Sequence, residues 1–301
     1  MGNWTSYPDK PQLTTRNPKK YGWIRDLPDK RDMWTQMPLW ASLPPCPNVD
    51  LRDTGQLPEV YDQGDIGSCT AQAIAAAYEY DTRKEKADNY FTPSRLFIYY
   101  NERLIEGTPM FDSGASLRDG LRTVSLIGAP PESDYPYDTT RFAIEPPLLA
   151  YITAHKHRAS KYRRVPQNTS ILSAIYLGYP VIFGFSVYEH FESLGDDEVL
   201  RVPAVTENLL GGHAVLACGY RTMEDNTIQI LVRNSWGSKW HGDGYFWMEY
   251  AYIMDPNLAS DFWVIETVTE PVTEPVTEPV VREAAKEDPN EFLFKEESDD
   301  D

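Results

Sequence analysis

The chain has 301 residues, of which 41% are hydrophobic and 13% aromatic, and this favours a globular body with room for two lobes and appendages. Its formal net charge of −18 argues against a nucleic-acid-binding surface, which needs clustered lysine and arginine. No apolar run approaches the length that crosses a bilayer, and the N-terminus lacks the apolar core of a secretory signal, so we expect an intracellular, cytoplasmic protein.

The first residues carry a short lipidation pattern. MGNWTS fits Met-Gly-x-x-x-Ser/Thr, with Gly2 and Ser6 placed for N-myristoylation. The pattern is permissive, and an ordinary N-terminus is the more frequent explanation of it. One acyl chain gives only reversible binding, so we expect membrane association only if Gly2 is myristoylated.

Residues 1–47 are predicted to form an extended N-terminal arm or a short pro-segment. They are rich in Pro, Trp, Asp and Lys, and the stretch YGWIRDLPDKRD alternates apolar and charged residues without helical spacing. Several tryptophans in so short a segment are costly to leave in water, so we expect the arm to lie on the body through its aromatic side chains.

The next segment carries helical patterns. Apolar residues recur with a helical period after Cys69, at Ala71, Ile74, Ala75 and Tyr78. A second helix is predicted from Ser94 to about Leu104, and a third from Ser116 to Leu126, where Gly128 follows as a stop signal. The first half of the body is therefore predicted to be helical.

The second half has the character of a sheet. YPVIFGFSVY, HAVLACGY, IQILVRNSW and YFWMEY are rich in branched and aromatic residues and are separated by turn signals. The basic run His155–Arg164 is interpreted as a solvated face. After the body, residues 266–301 contain three VTEP repeats, whose prolines forbid a helix, and are predicted to form an acidic linker and disordered tail.

The cysteines indicate a nucleophile rather than a scaffold. Only Cys46, Cys69 and Cys218 are present, which gives no disulfide framework, and neither cysteines nor histidines have zinc-site spacing, so we expect no metal and no cofactor. Cys69 lies in the first turn of the predicted helix, where the helix dipole lowers a thiol pKa and favours the nucleophilic thiolate. Cys218, within an apolar strand, is interpreted as a buried structural thiol.

Three blocks resemble the papain-like, cathepsin-like cysteine peptidases. They are Gln-Gly-Asp-Ile-Gly-Ser-Cys ending at Cys69, Gly-Gly-His-Ala-Val around His213, and Asn-Ser-Trp-Gly beginning at Asn234. The resemblance covers about residues 48–265. It implies an α+β, papain-like two-lobe fold, with a helical lobe at about 48–150, an antiparallel β-rich lobe at about 151–265, and the active site in the cleft between them.

The same resemblance implies roles for individual residues. Cys69 would attack the substrate carbonyl, His213 would pair with the thiolate and protonate the leaving amine, and Asn234 would orient the imidazole. Gln63 and the Cys69 backbone N–H would stabilise the oxyanion. Two further elements would complete the cleft: Trp236 over the His–Asn hydrogen bond, and Ser113 with Gly114 as the substrate-binding wall.

The chain also departs from the family pattern. Ile66 stands where many secreted members carry a disulfide cysteine, which agrees with intracellular life, and Thr70 replaces a frequent tryptophan. The arm is shorter than a typical inhibitory propeptide of the family and lacks its charged helical pattern. Autoinhibition by the arm is therefore doubtful, and an arm that belongs permanently to the fold is as reasonable an interpretation.

We predict a cysteine endopeptidase that acts on proteins or peptides and has no nucleic-acid partner. One alternative is a catalytically silent, peptidase-like binding or structural protein. Another is an exopeptidase or trimming enzyme whose acidic tail restricts it to chain ends. A chain of this type would suit a protist, a bacterium or a large DNA virus, and it would be virion-associated if the source is viral.

Overall fold

A computed structural model describes residues 21–38, 42–43, 48–85, 90–195 and 198–269, with side chains up to Glu266. The helices are α1 (Cys69–Lys84), α2 (Arg95–Ile105), α3 (Leu117–Leu126), α4 (Leu148–Ala154), α5 (Ser170–Tyr176), α6 (Glu189–Glu192) and α7 (Tyr250–Met254), with 3-10 helices at Leu51–Thr54 and Thr139–Arg141. The strands are β1 (Trp23–Ile24), β2 (Asn48–Asp50), β3 (Ala115–Ser116), β4 (Arg158–Arg164), β5 (Val181–Tyr188), β6 (Val199–Leu200), β7 (Leu209–Thr222), β8 (Ile228–Arg233), β9 (Tyr245–Glu249) and β10 (Ala259–Thr269).

The larger sheet forms the β lobe. Its strands follow the order β4-β10-β5-β7-β8-β9-β6, with β2 added beside β7, and every pair is antiparallel except β6 with β9. Strand β5 alternates its side chains as a two-sided strand should: Phe183 and Phe185 enter one core, and Ile182 faces the other. A four-residue turn with positive φ throughout, His241–Gly244, leads into β9.

Helix α1 is the centre of the helical lobe. Every residue from Cys69 to Thr82 is buried, and its small alanines allow α2, α3 and one face of the sheet to approach closely. Helices α2 and α3 begin at serine N-caps, since Ser94 accepts the N–H of Phe97 and Ser116 accepts that of Asp119. The three predicted helices begin and end within one or two residues of their expected bounds.

The α+β class and the papain-like architecture are confirmed, and the basic run is a solvated face only in part, since His155, Lys156 and Lys161 are exposed whereas Arg164 is not. Residues Arg158–Arg164 form strand β4, paired with β10, and the Arg164 side chain is only 14% exposed. Its guanidinium binds Asp32 and Asp261 at 2.7 and 2.6 Å, so acidic partners on other elements remove it from solvent. Charge alone, without those partners, suggested an exposed face.

Some sequence-based predictions lie outside the described residues. These are the lipidation site Gly2, the thiol Cys46, and the acidic linker and tail beyond Thr269. Strand β10 itself extends past the expected end of the body to Thr269. Within the part of the chain that the structure describes, no helix combines the length and apolarity needed to span a bilayer.

Candidate active site

Cys69 is the first residue of α1 and is fully buried. Burial raises the pKa of its thiol to about 12, and the backbone N–H groups of Ala214 and Gly22 act in the opposite direction. The helix N-terminus was expected to favour the thiolate. In this structure desolvation outweighs that effect, because Gly22 of the arm lies directly against the sulfur.

His213 and Asn234 meet on the β lobe. His213 is in β7, Asn234 follows β8, and both are buried. The imidazole Nε2 lies 2.8 Å from the side-chain oxygen of Asn234, which also accepts the backbone N–H of Ser235 at 2.8 Å. With an oxygen acceptor at this distance, Nε2 is the protonated ring nitrogen, so Nδ1 is the atom that can exchange a proton with a thiol.

Aromatic rings enclose the imidazole. The Trp236 ring lies 5.2 Å from the His213 ring, centre to centre, and the Phe185 and Tyr21 rings each lie 5.8 Å from it. Trp240 packs edge-on against Trp236 at 5.1 Å. This enclosure keeps water from the His213–Asn234 hydrogen bond, which strengthens it in the low local dielectric.

Gln63 joins the loop before α1 to the segment that carries Asn234. Its side-chain Nε2 donates to the Ile66 carbonyl at 3.0 Å, and its Oε1 accepts the Ser235 hydroxyl at 2.7 Å. Its backbone N–H also binds the Ser235 carbonyl at 2.9 Å. These contacts fix the orientation of the Gln63 side-chain amide beside the loop that ends at Cys69.

The substrate-binding wall predicted at Ser113 and Gly114 contacts the arm. Gly114 is buried with φ +72°, and the next residue, Ala115, donates its N–H to the Gly22 carbonyl at 2.8 Å. Ser113 is exposed, and its hydroxyl lies 2.9 Å from that of Thr108. Gly114 and Ala115 therefore lie against the arm, and the Ser113 side chain is exposed.

Sequence reasoning did not anticipate that the arm occupies the cleft. β1 pairs in parallel with β3, and a Cβ atom on Gly22 would lie 1.7 Å from the Gly67 carbonyl oxygen. On one side Tyr21 packs against His213, and on the other the Trp23 indole fills space that a side chain on Gly184 would need. The doubt about autoinhibition rested on the missing helical pattern. The Tyr-Gly-Trp tripeptide, a glycine between two aromatic anchors, was the available signal.

A buried charge cluster fastens the arm further along. The Asp26 backbone N–H donates to Asp261 at 2.8 Å, and its carboxylate accepts the Trp263 indole N–H at 3.1 Å. Asp32 binds Arg118 at 2.8 Å and Arg164 at 2.7 Å. Burial and the neighbouring Asp261 raise the pKa of Asp26 to about 7, since three carboxylates here face two guanidinium groups.

No group of three or more His, Cys, Asp or Glu side chains is arranged to hold a metal ion among the residues described. Cys69 and Cys218 are both free thiols in that part of the chain. Cys218 is buried in β7, with its sulfur 3.6 Å from the Leu231 carbonyl, as a structural thiol should be.

The sequence matches the family described as papain family cysteine protease over residues 45–261. It is 40% identical over 276 residues to an uncharacterized peptidase C1-like protein of Acanthamoeba polyphaga mimivirus, covering 83% of this chain and 88% of that protein. It is 28% identical to the cysteine endopeptidase RepA of Oryza sativa subsp. japonica, of which it spans 54%, and the match covers 72% of this chain.

Solved structures agree with the family match. The cysteine protease xylellain of Xylella fastidiosa superposes with a TM-score of 0.74 at 40% identity, covering 85% of this chain and 99% of that one. The bromelain protease of Ananas comosus, solved in complex with the E64 inhibitor, gives a TM-score of 0.55 at 23% identity over 68% of this chain and 89% of that one, a likeness of fold.

Proposed function

The chain belongs to the papain family of cysteine peptidases, and we propose that it is an endopeptidase that uses Cys69, His213 and Asn234. The observation that carries this assignment is the buried 2.8 Å contact between His213 Nε2 and the Asn234 side-chain oxygen, on the lobe that faces the α1 N-terminus. We also propose the organisation expected from the sequence: an arm at 1–47, a peptidase domain at 48–265 and an acidic tail at 266–301.

The first half of the reaction forms an acyl-enzyme. His213 Nδ1 takes the proton of the Cys69 thiol, and the thiolate attacks the carbonyl carbon of the scissile bond. Charge then develops on the carbonyl oxygen, where the Gln63 side-chain N–H and the Cys69 backbone N–H donate hydrogen bonds. As the C–N bond breaks, the His213 imidazolium returns its proton to the leaving amine.

The second half releases the acid product. His213 takes a proton from water, the hydroxide adds to the thioester carbon, and the C–S bond breaks to regenerate the Cys69 thiolate. Asn234 holds the imidazole in the same tautomer through both halves. Trp236 keeps water away from the His213–Asn234 bond without excluding it from the thioester.

We propose a reducing, intracellular compartment for this chemistry. Ile66 occupies the position at which many secreted members carry a disulfide cysteine, and Cys69 and Cys218 are free. A catalytic thiolate is oxidised readily, so we expect peroxide to abolish activity and a thiol reductant to restore it after brief exposure.

The test is labelling by an epoxide thiol inhibitor together with cleavage of an internally quenched peptide library whose ends are blocked. We expect the inhibitor to modify Cys69, and Cys69→Ala to abolish both labelling and cleavage. Cys218→Ala is the matched control, because it removes a buried thiol outside the cleft, and it should retain both.

Three outcomes would contradict the proposal. Labelling without turnover of any peptide would favour a silent binding protein. Turnover restricted to peptides with free ends would favour an exopeptidase. Absence of labelling under reducing conditions in a folded Gly184→Ala chain, in which Trp23 of the arm is displaced, would remove Cys69 as the nucleophile.

A further inference from the structure

The cleft narrows to a slot where the arm passes the nucleophile. One side of the slot is Gly67, two residues before Cys69, and the other is Gly114. A Cβ atom on Gly22 would lie 1.7 Å from the Gly67 oxygen, and a Cβ atom on Gly114 would lie 2.1 Å from the Gly22 oxygen. The slot therefore has room for a residue without a side chain. The width of the slot depends on the contacts that hold Gly67 and Gly114 at a fixed separation.

A single carboxylate links the two sides. Asp112 Oδ1 accepts the backbone N–H of Gly67 at 2.9 Å, although the two residues are 45 positions apart. The same oxygen accepts the Tyr99 hydroxyl, whose own oxygen accepts the backbone N–H of Gly114 at 3.2 Å. The chain of hydrogen bonds runs from the nucleophile loop through Asp112 and Tyr99 to the wall.

The direction of these hydrogen bonds is fixed. Tyr99 is fully buried, and burial together with the Asp112 carboxylate raises the pKa of its phenol. The hydroxyl therefore keeps its proton, which it donates to Asp112, and its lone pair remains available to Gly114. Tyr99 consequently donates to Asp112 and accepts from Gly114 while its phenol is protonated.

A buried cation supports the link from behind. Arg103 is fully buried, and its guanidinium carbon lies 3.9 Å from the centre of the Tyr99 ring. It donates to the carbonyls of Pro109 and Phe111, each at 2.7 Å. Since Phe111 precedes Asp112, the Arg103 guanidinium contacts both the Tyr99 ring and the backbone beside Asp112.

We propose that Asp112 is a positioning residue of the peptidase, which with Tyr99 sets the spacing between the loop that ends at Cys69 and the wall at Gly114. The proposal rests on the proposed function. A peptide held by the wall meets the sulfur at a productive distance only if the two sides keep this spacing. Misplacement by about 1 Å costs roughly a hundredfold in rate.

The first experiment compares two reactions of Cys69 in the full chain carrying Gly184→Ala, which displaces Trp23 and with it the arm from the slot. Turnover of a peptide needs both the wall and the nucleophile, whereas alkylation by iodoacetamide needs only the nucleophile. We expect Asp112→Ala to lower kcat/KM for peptides by about ten- to a hundredfold, largely in kcat, with an unchanged alkylation rate. Asp112→Asn keeps an acceptor oxygen and should restore most of the turnover.

The matched control is Asp53→Ala, which removes an exposed carboxylate far along the chain from the slot. If Asp112→Ala and Asp53→Ala have equal kcat/KM, Asp112 does not position the wall. If Asp112→Ala slows alkylation as much as turnover, Asp112 acts on Cys69 itself or on folding, and the proposal is equally wrong.

The second experiment does not require turnover. In the wild-type chain the N–H groups of Gly67 and Gly114 are hydrogen-bonded within the link, so both should exchange slowly with solvent deuterium. Tyr99→Phe should accelerate exchange at Gly114 and spare Gly67, whereas Asp112→Ala should accelerate exchange at Gly67. Unchanged exchange at Gly67 in Asp112→Ala would overturn the link even if the chain proves to be a silent peptidase homologue.

Discussion

Asp26→Asn should remove most of the pH dependence from the free energy with which the arm docks in the cleft. The carboxylate of Asp26 is buried against Asp261, and its pKa is raised from 3.8 to about 7. A released arm would return Asp26 to water and to its ordinary pKa. The docked arm therefore binds a proton that the released arm does not, across the interval between those two values.

The sign follows from that difference. Docking is favoured below pH 3.8, weakens as the pH rises, and reaches its weakest level above about 7. About three pKa units correspond to roughly 4 kcal/mol of docking free energy. Asp32 acts in the opposite direction at acid pH, because its pKa is lowered by hydrogen bonds and ion pairs to Arg118 and Arg164 that outweigh its burial. The arm should therefore be held most tightly in mildly acid solution and most weakly at neutral and alkaline pH.

Asparagine is uncharged at every pH, as protonated Asp26 is. Its single side-chain oxygen can replace Asp26 Oδ1, which accepts the backbone N–H of Arg118 at 3.2 Å, but its NH2 group then replaces Oδ2, which accepts the Trp263 indole N–H at 3.1 Å, so that one hydrogen bond is lost. Docking in Asp26→Asn should consequently be weakened equally at every pH and show no fall between pH 5 and pH 8. The Arg118 and Arg164 pairs with Asp32 are left intact by the change.

The assay is amide hydrogen exchange at residue 26 and Ala115, corrected for the intrinsic pH dependence, in a Cys69→Ala background that prevents self-cleavage. These N–H groups bind Asp261 and the Gly22 carbonyl only while the arm is docked. Between pH 5 and pH 8 we expect protection to fall about a hundredfold in the parent chain and to stay level in Asp26→Asn. Asp29→Asn is the control, since the Asp29 pKa is lowered by Arg31 and it should leave the parent slope unchanged. A level profile in the parent, or a parallel fall in Asp26→Asn, would refute the reasoning.

Other substitutions test the arm, the site and the fold separately. Gly184→Ala would place a Cβ atom 1.9 Å from the Trp23 indole, so it should expel Trp23 and speed epoxide labelling of Cys69; a rate equal to that of Gly195→Ala would contradict this. Asn234→Ala should lower kcat by about ten- to a hundredfold through loss of imidazole orientation, and unchanged kcat would dismiss that role. Ser94→Ala removes the N-cap of α2 and should lower the free energy of unfolding, measured in urea, by about 1 kcal/mol. An unchanged free energy of unfolding would show that the Ser94 side chain does not cap the helix.

The sequence predicted those features whose cause is local. Helix α1 follows from the apolar period after Cys69, and the α2 start follows from the Ser94 cap. The pairing of His213 with Asn234 followed from a family resemblance, because two residues on different strands meet only through the sheet register. Local sequence patterns therefore predicted the helices, and the family resemblance predicted the residues of the candidate site.

The remaining features depend on contacts between distant segments. No period or motif joins Asp112 to Gly67, and none joins Arg164 to Asp32 of the arm and Asp261 of β10, the carboxylates that it binds. Thr70, which stands in for a frequent tryptophan, donates to the buried Glu102 carboxylate at 2.6 Å, a pairing that no spacing rule suggests. In each of these cases the contact depends on which groups the folded chain removes from water. That is known only when all elements are packed together, so the sequence patterns could not predict it.

The contact between Gly22 and Gly114 also constrains how such chains can diverge. A Cβ atom on Gly114 would meet the backbone of Gly22, and a Cβ atom on Gly22 would meet the backbone of Gly67, so neither position can gain a side chain while the arm stays in the slot. A lineage whose arm leaves the slot is released from the constraint at position 22, whereas position 114 keeps a positive φ of 72°, which favours glycine with or without the arm. A glycine between two aromatic residues, N-terminal to the nucleophile, is therefore a sequence signature of a cleft that is filled by the chain's own arm. Relatives can be searched for this signature from their sequences alone.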